Sequence, residues 1–391
     1  MKLKSILAVV FCTVAIIAQA QQNIGFRAEK IISPQVNSDN TVTFRLNAPK
    51  AKSVSVKGDW EANDGVGTMK KGKEGLWEYT TPVLPSEMYT YRFDIDGVIG
   101  LDPHNPFTRR DVGNVFSIFF VGHGPADYYQ VHDVPHGTMQ TVWYQCQGLY
   151  QNNRRMVIYL PPSYDKDNKN YPVLYLMHGS GGDEMAWSDL GFVNRVMDNL
   201  IAEGKVEPMI VVMPNGNPSK QAEAGETSEN LSYMPVMTNT LPDYKAGKFE
   251  ATFPQIVNYV DNHYRTLPDK AHRALAGLSM GGFYTMMISA NFPELFDYIG
   301  LFSAGVDFKG INWNIPVYRD LDRKLAEQYK QGVKLYWIGM GKADRLYPFN
   351  LDLMKCLDKA GTKYEYHESS RGHLWSNWRQ YLLIFAPQLF K

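Results

Sequence analysis

Cysteine is scarce in this chain: three among 391 residues. So few cannot staple a scaffold, and neither a C-x-x-C nor an H-E-x-x-H spacing occurs, so a disulfide-rich fold and a structural zinc site are both disfavoured. A surplus of one charge is equally lacking, with 40 basic against 40 acidic side chains. No single-signed field is available to gather nucleic acid or anionic lipid along a surface. Apolar runs of the roughly 18 to 20 residues needed to cross a bilayer are missing too, which argues against a membrane span. No calcium-loop pattern or other metal motif is present, and nothing calls for a cofactor. What remains is a long chain, 44% hydrophobic and 13% aromatic, of a length that predicts two or three domains resting on their own cores.

The N-terminus has its own grammar. Met1, Lys2 and Lys4 precede an apolar stretch from Ile6 to Ile17, and Ala18-Gln19-Ala20 follows. A charged start, a short apolar centre and an A-x-A site predict a secretory signal peptide over residues 1–20 and a secreted or periplasmic location. Its removal takes Lys2, Lys4 and Cys12, leaving 38 basic against 40 acidic residues and two cysteines, Cys146 and Cys356. Whether those two pair is not readable from their positions.

From about residue 28 to 122 short alternating strands are broken by turn residues: Thr41 to Leu46, Ser53 to Val56, Trp77 to Thr80 and Tyr89 to Phe93. Period-two alternation at this spacing predicts a small all-β, immunoglobulin-like sandwich domain. Residues 123–137 hold Pro, Gly and three histidines without periodicity and read as a linker. Beyond them, over 138–391, apolar strand runs alternate with amphipathic helices, the pattern of an α/β domain with a doubly wound sheet. The predicted strands are Met156 to Leu160, Val173 to Met177, Met209 to Met213, Ala274 to Leu278, Tyr298 to Phe302, Leu335 to Gly339 and Tyr364 to His367. Asn215 to Lys248 is long and unpatterned, and such loops tend to be functional, so it is a candidate lid.

Gly277-Leu278-Ser279-Met280-Gly281 falls where a predicted strand meets a predicted helix, the context of a G-x-S-x-G nucleophile elbow. A serine hydroxyl is a weak nucleophile at neutral pH and needs a base oriented by a carboxylate. Downstream, Asp344 and His373 each follow the C-terminal end of a predicted strand, where catalytic groups gather in open α/β sheets. Asp344 is therefore assigned as the orienting acid and His373 as the general base. Asp307, after the strand ending at Phe302, is the serious rival to Asp344; Asp297 and Glu368 are worse placed. The oxyanion of a tetrahedral intermediate needs amide donors, worth about 3 kcal/mol each. Met280, after the serine, supplies one, and Gly179 or Ser180 in the His178-Gly179-Ser180-Gly181-Gly182 turn supplies the other. Trp187, Tyr233 and Trp375, together with Trp378 and Tyr244, are candidates to stack on a sugar or aryl group, the core being the competing place for each.

With these motifs in hand, the stretch from about Gly137 to Lys391 resembles carbohydrate esterase family 1, the esterase D-like α/β-hydrolases that include feruloyl and acetylxylan esterases. Ala48-Pro49, Val56 to Trp60, Gly75 to Trp77 and Asp102-Pro103 resemble the early-set, family 48 carbohydrate-binding modules often fused in front of such esterases. The resemblance implies a Ser279, Asp344 and His373 triad and an ester-substituted xylan or oligosaccharide as substrate, a feruloyl ester first. Trp60 and Trp77 are the module's stacking candidates, with the core as the other place for them. Acetylxylan, a catecholate siderophore ester, or a catalytically silent carbohydrate-binding role are the alternatives. The oligomeric state and the preferred acyl group stay open at this level.

Overall fold

The computed structural model describes residues 31–227, 245–305 and 307–391. The signal-peptide reading and half of the candidate lid, with Tyr233 and Tyr244, lie outside the described residues. The N-terminal part is two antiparallel sheets made from β1 (Gln35–Val36), β2 (Val42–Asn47), β3 (Val54–Gly58), β4 (Val66–Thr68), β5 (Lys70–Lys71), β6 (Leu76–Thr80), β7 (Glu87–Ile95), β8 (Val98–Gly100), β9 (Thr108–Asp111) and β10 (Asn114–Val121). One sheet runs β1-β2-β6-β5; the other runs β4-β3-β7-β10-β9, with β8 on β7. Alternate residues point inward, so Phe44, Val54, Val56, Tyr91, Phe93 and Phe119 fill the space between the sheets. Trp60 stacks on Phe44 at 5.6 Å, and Trp77 gives its indole N–H to the Ala48 carbonyl. Both are buried, so the two tryptophans stabilise the sandwich core and are not a glycan platform.

The C-terminal part is one eight-stranded sheet. In chain order it has β11 (Thr138–Gln145), β12 (Asn153–Leu160), β13 (Val173–Met177), α1 (Ala186–Asp189), α2 (Val193–Ala202), β14 (Ile210–Pro214), α3 (Lys248–His263), β15 (Arg273–Leu278), α4 (Met280–Asn291), β16 (Tyr298–Phe302), α5 (Leu321–Gln331), β17 (Leu335–Gly341), α6 (Tyr347–Ala360), β18 (Glu365–Ser369) and α7 (Trp375–Phe385). The strand order is β11-β12-β14-β13-β15-β16-β17-β18. The first two pairings are antiparallel and the other five parallel. Val173, Tyr175 and Met177 face a core completed by α3, α4, α5 and α6. Leu174 and Leu176 face the opposite core, with α2 and α7. Both faces of the central strands are covered, so they are continuous apolar runs rather than alternating ones.

The sandwich packs on the second of these faces. Met88 and Ile118 of its strands, and Ala126 and Tyr129 of the turn that follows, belong to the same buried cluster as α2 and α7. Arg379 of α7, fully buried, reaches across to Glu87 at 2.9 Å and donates to the carbonyls of Met88 and Leu190. Strand β11 was not anticipated. It is an edge strand whose side chains are exposed or half-exposed apart from Tyr144, and its polar residues give weak apolar contrast. Among the described residues no helix is long and apolar enough to cross a membrane, and Cys146 and Cys356 are free thiols.

Candidate active site

The chain leaves β13 toward β14 on one side and later enters β15 on the other, which opens a crevice at the C-terminal ends of β13 and β15. Met177 pairs with Gly277 across these two strands, so the loop after Met177 and the turn after Leu278 are neighbours. At that turn Ser279 has φ 53° and ψ −116°, a strained conformation for a residue with a side chain. Two close approaches hold it there. A Cβ on Gly277 would lie 2.5 Å from the backbone of Gly281, and one on Gly281 would lie 2.5 Å from the His178 carbonyl. The Ser279 N–H is fixed by the Phe302 carbonyl at 2.8 Å.

Strand β17 delivers Asp344 and β18 delivers His373, each a few residues past its end. His373 Nε2 is 2.9 Å from Ser279 Oγ, and its Nδ1 is 2.8 and 3.1 Å from the two carboxylate oxygens of Asp344. The loop carrying His373 is anchored by Asn377, which donates to the Gly372 carbonyl. Burial pushes the Asp344 carboxyl up, but the His373 ring and the N–H of Leu346 outweigh it and hold the group below the usual carboxylate range. It stays ionised and acceptor-only, which leaves Nδ1 as the protonated ring nitrogen and Nε2 facing the serine as an acceptor. Trp378 packs edge-on against the His373 ring at 4.9 Å.

The rival acids are occupied elsewhere. Asp307 caps a short turn and accepts from the Lys309 N–H, Asp297 pairs with Lys270, and Glu368 accepts from the Tyr347 and Tyr366 hydroxyls.

Met280 is the first residue of α4, so its N–H has no partner within its helix. Opposite, a Cβ on Gly179 would lie 3.3 Å from Ser279 Cβ, which shows how closely this turn abuts the serine. His178 is buried and sets the turn. It accepts the Gly216 N–H at Nε2, so Nδ1 carries the proton and donates to the Gly179 carbonyl at 2.8 Å. Burial lowers its pKa and keeps the ring neutral. In a trans peptide the N–H opposes the carbonyl, so the Ser180 N–H is directed away from His178.

Gly179, Ser180, Ser279 and His373 line one cleft of about 240 Å³. Trp375 and Trp378 wall it. Trp187 does not; it is 1% exposed, donates to the Met177 carbonyl and packs edge-on against Trp375 at 5.3 Å. The expectation that Trp187 stacks on substrate is corrected accordingly: its ring supports Trp375 from behind. Residues that sequence reasoning missed come from the sandwich. Arg110, Asp111 and Val112, at the end of β9, also line the cleft. Arg110 pairs with Asp183 at 2.7 Å and Glu223 at 2.9 Å, and Glu223 pairs with Arg155, which holds the buried Glu184. This network braces the segment that follows the Gly179 turn. No motif announces it, because its members are scattered over 113 positions.

An eight-stranded, mostly parallel sheet with a strained serine elbow and its histidine and acid on later strand ends defines the α/β-hydrolase class. Residues 149–388 match the family model described as "Putative esterase", and the chain belongs to this esterase family. Residues 32–105 match carbohydrate-binding module 48, the isoamylase N-terminal domain. The chain is 33% identical over 380 residues, 92% of its length, to an endo-1,4-beta-xylanase/feruloyl esterase of Xylanibacter ruminicola, and it spans only 46% of that relative. In structure it is similar to a ferulic acid esterase of Anaeromyces mucronatus, at TM-score 0.53 and 23% identity, over 67% of this chain and 94% of that one. The enterobactin esterase of Shigella flexneri is similar in fold over 90% of this chain and 93% of its own, at TM-score 0.62 and 15% identity.

Proposed function

We propose that the protein is a secreted serine esterase that removes feruloyl groups from ester-substituted xylan or its oligosaccharides. The observation that carries the chemistry is the continuous hydrogen-bonded line Ser279–His373–Asp344. In this reading Ser279 Oγ attacks the ester carbonyl while His373 Nε2 takes its proton. The tetrahedral oxyanion is met by the N–H groups of Met280 and of the Gly179–Ser180 turn. His373 then gives the proton to the sugar's ester oxygen as its bond to the carbonyl carbon breaks, so the sugar departs as an alcohol and the acyl group stays on Ser279. Water, deprotonated by the same imidazole, releases the acid. Asp344 holds the ring in the tautomer that makes both transfers possible.

The feruloyl choice is supported by the Xylanibacter ruminicola relative, similar over nearly the whole chain, and by the narrow tryptophan-walled cleft, which suits a flat aryl group. A ferric catecholate is disfavoured by charge. The cleft has Asp111, Asp183 and Asp189 against Arg110 and Arg345, and Arg110 is already engaged by Asp183 and Glu223. The test is a panel of methyl ferulate, methyl coumarate, an acetyl ester and a catecholate ester, run on wild type and Ser279→Ala. Methyl ferulate should be the best substrate and should lose at least about 10⁴-fold in kcat with Ser279→Ala, the protein remaining folded. Unchanged turnover in the variant would sink the assignment, and turnover of acetyl esters alone would move the substrate to acetylxylan.

A further inference from the structure

We propose that Asp111 of the sandwich domain is the specificity-determining polar group of the cleft, accepting a hydrogen bond from the ring hydroxyl of a hydroxycinnamoyl ester. The inference rests on the feruloyl reading above and adds to it a residue from outside the hydrolase domain.

The cleft that holds Ser279 and His373 takes one wall from the end of β9. That wall is held rigidly. Arg109 donates to the Asp189 carbonyl at 3.0 Å and lies over the Phe192 ring. Arg110 is clamped by Asp183 and Glu223 and also donates to the Val112 carbonyl. Asp111 pairs with Asn114 across the two-residue turn Val112–Gly113. Val112 itself has φ 55°, a conformation that a β-branched residue adopts only when its surroundings impose it. The strain sits next to Asp111 and marks a turn whose backbone is held in place by its surroundings.

Asp111 forms no ion pair among the described residues; the guanidinium beside it is committed to other carboxylates. Burial pushes its carboxyl up from the ordinary range, and the Trp375 indole, which lines the same cleft, is the neighbouring polar group that offsets this in part. Trp375 is itself wedged edge-on between Trp187 and Trp378. A carboxylate that keeps free lone pairs beside a fixed aromatic wall is suited to a ligand carrying a flat ring and a hydroxyl donor. A phenol meets that description: the ring packs against the tryptophans and the O–H donates a short charge-assisted bond to the carboxylate. An ester without the hydroxyl would leave the carboxylate desolvated and unpaired, and a site built this way discriminates strongly against such an analogue.

The experiment compares kcat/KM for methyl ferulate and for methyl 3,4-dimethoxycinnamate, which lacks the ring hydroxyl, in wild type, Asp111→Asn and Asp111→Ala. The wild-type preference for ferulate should fall about tenfold or more in Asp111→Ala, with Asp111→Asn, which keeps an acceptor oxygen, in between. A preference unchanged in both variants, or equal losses on both esters, would overturn the inference while leaving the feruloyl reading intact. Wild type that cleaves only acetyl esters would instead remove the feruloyl reading, and Asp111's role with it. Folding of each variant is read from its thermal transition.

Discussion

At the residue scale, Asp344 is tightly specified. Both of its carboxylate oxygens face His373 Nδ1, one of them also takes the Leu346 N–H, and the side chain is sealed from solvent. Asp344→Asn keeps the shape but offers an N–H to the ring, so Nδ1 becomes the acceptor and the Nε2 proton points at Ser279. The expected loss is about 10² to 10⁴ in kcat with little change in stability, measured on methyl ferulate with a parallel melting curve. Because the Asp344 pKa is lowered from 3.8, its stabilising contribution is complete above that value and is lost only as pH falls through the lower folded-state pKa. That Ser279, His373 and Asp344 come together was legible in the sequence because each follows an apolar strand whose end fixes its place. Trp187 was misplaced because a tryptophan facing the cleft and one backing it look alike until the α1 packing is known.

At the element scale, α3 presents an acid to the core. Glu250 is 1% exposed, takes the Tyr318 hydroxyl at Oε1, 2.6 Å away, and has no partner at Oε2 among the described residues. Burial is the main cause raising its pKa from 4.5 to about 7. Between those values the folded protein binds more protons than the unfolded chain, so stability falls as pH rises through that window. Glu250→Gln removes this dependence. Its melting temperature should exceed that of wild type by several degrees near pH 8 and lose that advantage near pH 5, which thermal melts at the two values will show. A constant offset would contradict the account. The central parallel strands were legible because both faces are buried and the apolar runs are unbroken, as in Val173–Met177. Strand β11 was not, since one face of it meets solvent and Thr, Gln and Trp alternate without a clear period.

At the scale of the whole molecule, the two domains share a core. Arg379 is buried with Glu87 and two sandwich-side and loop carbonyls. Removing Arg379 leaves the buried Glu87 with only the more distant Arg371, 3.9 Å away, as an ion-pair partner among the described residues, at a cost of about 3 kcal/mol. Arg379→Ala should therefore lower the urea midpoint of the entire chain in a single transition, and Arg379→Met combined with Glu87→Leu should recover most of the loss. Two separate transitions in wild type would show domains that fold independently. The sequence divides cleanly near residue 122 because composition and periodicity change there, yet the contacts that join the parts lie 291 and 292 positions apart. No local pattern encodes them.

That sharing limits how this architecture can be reassembled. Since Arg110, Asp111 and Val112 help form the recess around Ser279, a genetic exchange that cut the chain near residue 122 would separate Ser279 from part of the wall that surrounds it. Neither piece of such a cut would keep the whole recess, so the two parts are expected to be expressed as one unit.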